Sequence, residues 1–179
     1  MSLTLATLLP GLLLILLGLP LVLGSTGYAA VLKGFPRSIT ATYVLFGTGA
    51  AWFLYGVWHL SPADFGDYRK ILFVAFAIIA AMAFKCVPDF LAVRGVCVLV
   101  LMAAMPLLDA AYMEYAKPQR LLMVSLVYLL LALAIWLGAQ PWRMRDFLTW
   151  LFARPGRARM IGGVIAVYGV VLALVAFTY

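Results

Sequence analysis

The sequence predicts an all-α, polytopic integral membrane helical bundle, with about six transmembrane helices plus one short interfacial amphipathic helix. Three observations lead there. Hydrophobic residues fill 67% of the 179 positions, more than a water-soluble domain of this size can hide beneath its surface. Charged residues, only 11% of the chain, fall in short breaks between long uncharged runs. No stretch alternates apolar and polar residues as a membrane barrel requires, so helices must satisfy the backbone inside lipid.

Taken in order, a single transmembrane domain over 1–179 is expected to hold helices at about 3–32, 38–60, 69–86, 89–113, 119–139 and 160–179. The first run is Leu-rich and has no Lys or Arg before it, while Lys33 and Arg37 follow. It therefore reads as a retained helix rather than a cleaved signal peptide. The first, second, fifth and sixth runs approach the roughly 20 apolar residues that a hydrocarbon core demands.

The middle two are short. Roughly 14 uncharged residues lie between Lys70 and Lys85, and again between Arg94 and Asp109, a reach of roughly 21 Å against a core of about 30 Å. Lysine and arginine can snorkel across much of that shortfall, but aspartate has little reach. Shielding of this region by neighbouring helices or a partner is expected.

Between the fifth and sixth runs, Met144, Phe147, Leu148 and Leu151 recur at helical spacing, with Trp142 and Trp150 alongside and Arg143, Arg145 and Asp146 elsewhere. This pattern predicts an interfacial helix over 141–153, followed by a basic turn from Arg154 to Arg159.

Charge orients the bundle. Lys33, Arg37, Lys85, Arg94, Arg143, Arg145, Arg154, Arg157 and Arg159 fall in or beside the odd-numbered loops. Only Arg69, Lys70, Lys117 and Arg120 fall on the other side. The positive-inside rule then puts the odd loops in the cytoplasm and both termini outside, in a bacterial-type inner membrane. In helix number and sidedness this arrangement is similar to the proton-gated urea and amide channels. The resemblance is one of topology alone; it carries no motif and transfers no residue role.

A net charge of +7 and an isoelectric point near 9.7 invite comparison with nucleic-acid binders. The cations, however, sit beside apolar segments and form no separate face, so membrane lipids are the expected partners and nucleic acid is excluded. Cys86 and Cys97 form no CxxC pair and read as small packing residues. No metal-ligand spacing appears and the sequence requires no cofactor, although bound lipids are expected.

Four polar residues stand out as binding candidates. Asp109 lies beyond Pro106, which removes the hydrogen bond to the Met102 carbonyl, so an acid and a freed carbonyl could bind a cation or relay a proton. The plainer alternative pairs Asp109 with Arg69, Lys70, Lys117 or Arg120 in a wet interface. Lys85 and Arg94 flank a tight turn ending at Asp89. They read either as a basic pocket for an anionic head group or as snorkelling anchors with Asp89 as counter-charge. His59 could serve as one axial haem ligand or a pH sensor, or simply join Trp52, Tyr55 and Trp58 in an aromatic belt.

Helix contact has its own signal. Gly162, Ala166, Gly169 and Ala173 form a small-residue stripe, and Gly47 with Ala51 and Ala77 with Ala81 repeat the spacing. The Leu-rich first and fifth helices look suited to lipid or a broad partner surface. No HExxH, GxSxG, Walker loop or GxGxxG occurs, which speaks against hydrolytic or phosphoryl-transfer chemistry. The expected role is therefore an accessory or structural subunit of a larger inner-membrane complex, such as an energy-converting one, self-associating or joined to other membrane subunits. A small-solute or ion channel is the alternative, and a lipid- or quinone-handling enzyme the third.

Overall fold

A computed structural model describes residues 1–179, and every regular element is helical. The α-helices are α1 (Leu3–Val22), α2 (Thr26–Gly34), α3 (Ile39–Ala41), α4 (Gly47–Trp58), α5 (Arg69–Cys86), α6 (Leu91–Ala111), α7 (Arg120–Ala139), α8 (Trp142–Leu151) and α9 (Pro155–Ala176). Four of them, α1, α6, α7 and α9, are long and apolar enough to cross a membrane. The expected count of about six is met only to that extent. α5 carries Arg69, Lys70 and Lys85 within its 18 residues, and the run over 39–58 is divided by a π-helical segment, Thr42–Phe46.

The single helix expected over 3–32 is two helices. Leu23 caps α1 and Gly24 turns left-handed at φ 67°, a conformation that glycine adopts without a Cβ clash. The Ser25 hydroxyl then accepts from the Tyr28 N–H at 3.3 Å and starts α2. The basic turn expected from Arg154 to Arg159 is also revised, because α9 begins at Pro155. Proline suits a first helical position, where its missing N–H has no acceptor to lose.

The most extensive contact joins α1 to α9, running antiparallel. Gly18 faces Gly162, and Gly11 faces Gly169. A Cβ on Gly18 would lie 2.7 Å from the Gly162 carbonyl oxygen, and one on Gly169 would lie 2.7 Å from the Gly11 carbonyl oxygen. Neither position has room for a side chain. The stripe Gly162, Ala166, Gly169 and Ala173 thus lies against the first helix of the same chain. On the outer side of that helix Leu12, Leu13, Leu16 and Leu19 are exposed. Leu3 and Ala6 of α1 and Leu172 of α9 then share a core with Ala104 and Ala111 of α6 and Met123, Leu126 and Val127 of α7.

α3 and α4 run parallel to α6, with Gly49 against Val98 and Gly95 against the Phe46 backbone. Gly47, whose spacing with Ala51 suggested a contact, faces open space, and Ala51 is exposed. The close approach is made instead at Gly49, about 200° further round the helix. α5 returns antiparallel along α4 through aromatic pairs: Tyr43 stacks on Phe84 at 5.1 Å, Phe53 meets Phe76 at 5.1 Å, and Trp58 meets Phe73 at 5.4 Å. No residue of α5 is buried.

These contacts make successive long runs alternate in direction. Both termini, with Lys117 placed 5.8 Å over the Tyr179 ring, share one end of the bundle. The other end holds α2, α8 and the turn at Phe90, over whose ring Arg37 sits at 5.6 Å.

The glycine seam yields a test. Gly18→Leu should destabilise the detergent-solubilised protein by about 1–3 kcal/mol or more, as overpacked contacts do. Gly163→Leu, where an added Cβ meets nothing within 4 Å, should be neutral. Equal thermal shifts in the two variants would refute the seam as the main constraint.

Candidate functional site

The four sequence candidates do not converge. His59 and Asp109 lie at the end of the bundle that holds the termini, Lys85 and Arg94 at the opposite end, and none of them lines a principal cavity.

Asp109 is exposed and sits two residues before the last residue of α6, about 3 Å from the helix end. It makes no ion pair with Arg69, Lys70, Lys117 or Arg120. Lys117 instead binds Glu114 at 3.1 Å, and Arg120 donates to the Ala111 carbonyl while lying 4.7 Å over the Tyr115 ring. His59 is exposed and caps α4, with Nδ1 2.8 Å from the Tyr55 carbonyl oxygen and its ring 4.2 Å from that of Tyr55. No group of three or more His, Cys, Asp or Glu side chains assembles anywhere in the chain. Lys85 is exposed and Arg94 half-buried, and Asp89 forms an ion pair with neither.

A different set of cations does converge. At the end opposite the termini, the bend at Gly24, helix α2 and the corner between α8 and α9 enclose a cleft of about 250 Å³, lined among others by Ser25, Thr26, Lys33, Phe152 and Arg159. An adjoining hollow shares Lys33 and Phe152 and adds Arg145 and Thr149.

Local structure explains each position. Leu148, Leu151 and Ala158 form a small core with Leu32 packed against it, which fastens α2 to the α8–α9 corner. Arg157 donates to the Trp150 carbonyl at 3.1 Å and lies 4.7 Å over the Trp150 ring, bracing the same corner. The Lys33 ammonium sits 5.5 Å over the Phe152 ring. A Cβ on Gly24 would lie 3.4 Å from Arg159 Nη2, so the guanidinium lies against the bend. Neither Lys33 nor Arg159 has an acidic partner, and no carboxylate lines the cleft. Such a wall favours an anion.

Sequence reasoning placed a basic pocket at Lys85 and Arg94 and missed this one. Its walls come from opposite ends of the chain and meet only because α1 pairs with α9. The legible clue was Gly24-Ser25-Thr26, a left-handed glycine followed by a capping serine.

A second, wholly apolar cleft of about 410 Å³ lies between α4, α5 and α6, with Phe46, Phe53, Phe76, Ile79, Val98 and Met102 on its walls.

The cleft depends on α2 staying docked. The Tyr28 hydroxyl donates to the Leu17 carbonyl at 3.2 Å, and burial raises the Tyr28 phenol above its ordinary pKa near 10. A raised folded-state pKa means that this stabilisation is complete below the unfolded value and fades as pH climbs above it. Tyr28→Phe should cost about 0.5–1.5 kcal/mol, read as a lower thermal midpoint of the detergent-solubilised protein. An unchanged midpoint would refute the docking role of Tyr28.

Compared with protein-family models, curated proteins and solved structures, the chain matches none.

Proposed function

We propose that this protein is an accessory subunit of a larger membrane assembly, which it joins through α5. The observation that carries the reading is that α5 buries no residue against its own chain. Ile71, Val74, Ile78, Ile79 and Met82 are exposed along it, and Ala81 is exposed as well, so the Ala77–Ala81 spacing is not used up internally. Within lipid an apolar surface gains nothing by meeting another apolar surface; association comes from close fit, which small residues permit. α5 offers such a face.

Its length points the same way. Eighteen residues span about 27 Å, with Arg69 and Lys70 at one end and Lys85 at the other. A neighbouring protein helix relieves the mismatch with a core of about 30 Å. In this reading the run over 39–58 and α5 cross the bilayer beside the four longer spans, giving six crossings.

Sidedness follows from the cations. Lys33, Arg37, Lys85, Arg94, Arg143, Arg145, Arg154, Arg157 and Arg159 belong to the end that faces the cytoplasm of a bacterial-type inner membrane, leaving both termini outside. The opposite end mixes its four cations with Asp64, Asp67, Asp109 and Glu114, so it lacks that excess.

Two experiments test the reading. Native mass measurement after mild-detergent extraction should find the 19.6 kDa chain in stoichiometric complex with larger subunits. Ala81→Trp should strip those subunits, whereas Val164→Trp on the exposed face of α9 should not; a solitary monomer or a homo-oligomer refutes the subunit reading. In a Cys86→Ser background, Thr178→Cys should react with an impermeant maleimide on intact cells, while Ala153→Cys should react only after the membrane is opened. Labelling of both from one side refutes the topology.

A further inference from the structure

We propose that the cleft between α2 and the α8–α9 corner is a binding site for one phosphate group, the head-group phosphate of an anionic membrane lipid being its natural occupant. The inference does not depend on the subunit reading, because the cleft lies at the end of the bundle away from the middle of α5 and shares none of its residues.

Donor-bearing Ser25, Thr26, Lys33 and Arg159 line part of the space, the two cations at its exposed edge, and no acid lines it. Lys33 brings three N–H donors and Arg159 a planar fork of five. Both line the cleft without a carboxylate to neutralise them. Thr26, on the wall of the cleft, is the first residue of α2, so its N–H has no acceptor within the helix, and Tyr28 is already capped by Ser25. The positive end of the α2 dipole therefore adds to the two side-chain charges.

Donors on several sides suit the tetrahedral oxygens of a phosphate better than the two coplanar oxygens of a carboxylate. Phe152, beneath Lys33, holds that ammonium in place without taking its charge.

Position favours a lipid over a soluble phosphate. The cleft opens at the last turn of α1, where Pro20 and Leu21 form part of its wall. Leu19, Val22 and Leu23 are exposed beside it, an apolar flank for acyl chains below a head group. Lys33 and Arg159 both belong to the cation-rich end, where the surface of an anionic leaflet would lie.

The experiment uses the full chain in nanodiscs of phosphatidylcholine doped with phosphatidylglycerol, with retained lipid read by native mass spectrometry. The wild-type chain should keep one phosphatidylglycerol in preference to phosphatidylcholine. Arg159→Gln and Lys33→Gln should each weaken that retention about tenfold, the loss expected for one charged hydrogen-bonding partner. Lys85→Gln, at the same end but outside the cleft, should leave it unchanged.

Inorganic phosphate is titrated in parallel against thermal stability. Stabilisation by phosphate, lost in Arg159→Gln, without selective lipid retention would keep the phosphate site but assign it a soluble ligand. If Arg159→Gln fails to retain helical circular dichroism, Lys33→Gln alone decides. The proposal is overturned if neither probe binds selectively, or if Lys85→Gln weakens retention as much as the cleft variants do, since that would mean diffuse surface attraction.

Discussion

Backbone-to-backbone approach of the first and last helices is the constraint from which the rest of the bundle follows. Lipid tails are as apolar as leucine, so α1 and α9 gain nothing simply by hiding leucines from the solvent. They gain by coming close enough for whole backbones to touch, and Gly11, Gly18, Gly162 and Gly169 permit that. The two glycines on each helix stand seven residues apart, the repeat that keeps one seam facing a partner along a left-handed crossing. α6 and α7 then stack on the resulting pair through Met123, Leu126 and Leu172. The same device recurs once, at Gly49 and Gly95, to fasten α4 to α6. α5 has no glycine and buries no residue.

Much of this was legible in the residues, and the misses share a cause. Apolar runs bounded by charge located α5, α6 and α7 closely, because an apolar helix ends at the first residues that demand water. The stripe on α9 was visible as spacing, but its partner was masked: in a run so rich in leucine, Gly11 and Gly18 look like interruptions rather than a face. Gly24-Ser25-Thr26-Gly27 reads merely as an uncharged stretch within 3–32, because hydropathy says nothing about backbone direction. The π-helical turn at Thr42–Phe46 leaves no compositional trace, and the four-residue spacing of Gly47 and Ala51 drew attention where Gly49 makes the contact.

The site was the least legible part. Asp109, His59, Lys85 and Arg94 drew attention because each is rare in its surroundings, yet rarity along a chain carries no information about convergence in space. Lys33 and Arg159 were unremarkable members of a basic set, and only the bend at Gly24 turns α2 across the end of the bundle to meet α9. A charge that seems merely to orient the protein in its membrane also becomes one wall of a cleft.

The α1–α9 seam also imposes an order of assembly. Helix α1 leaves the ribosome long before α9, the segment that its glycine face fits. Until Pro155–Ala176 enters the bilayer, Gly11 and Gly18 lie open to lipid or to any other small-faced helix nearby. The hairpins 39–86 and 91–139 close over short distances along the chain and can pack beforehand, whereas joining α1 to α9 closes a far longer loop at a greater entropic cost. The α1–α9 pair therefore closes after the hairpins between them, like a ring fastened by its clasp.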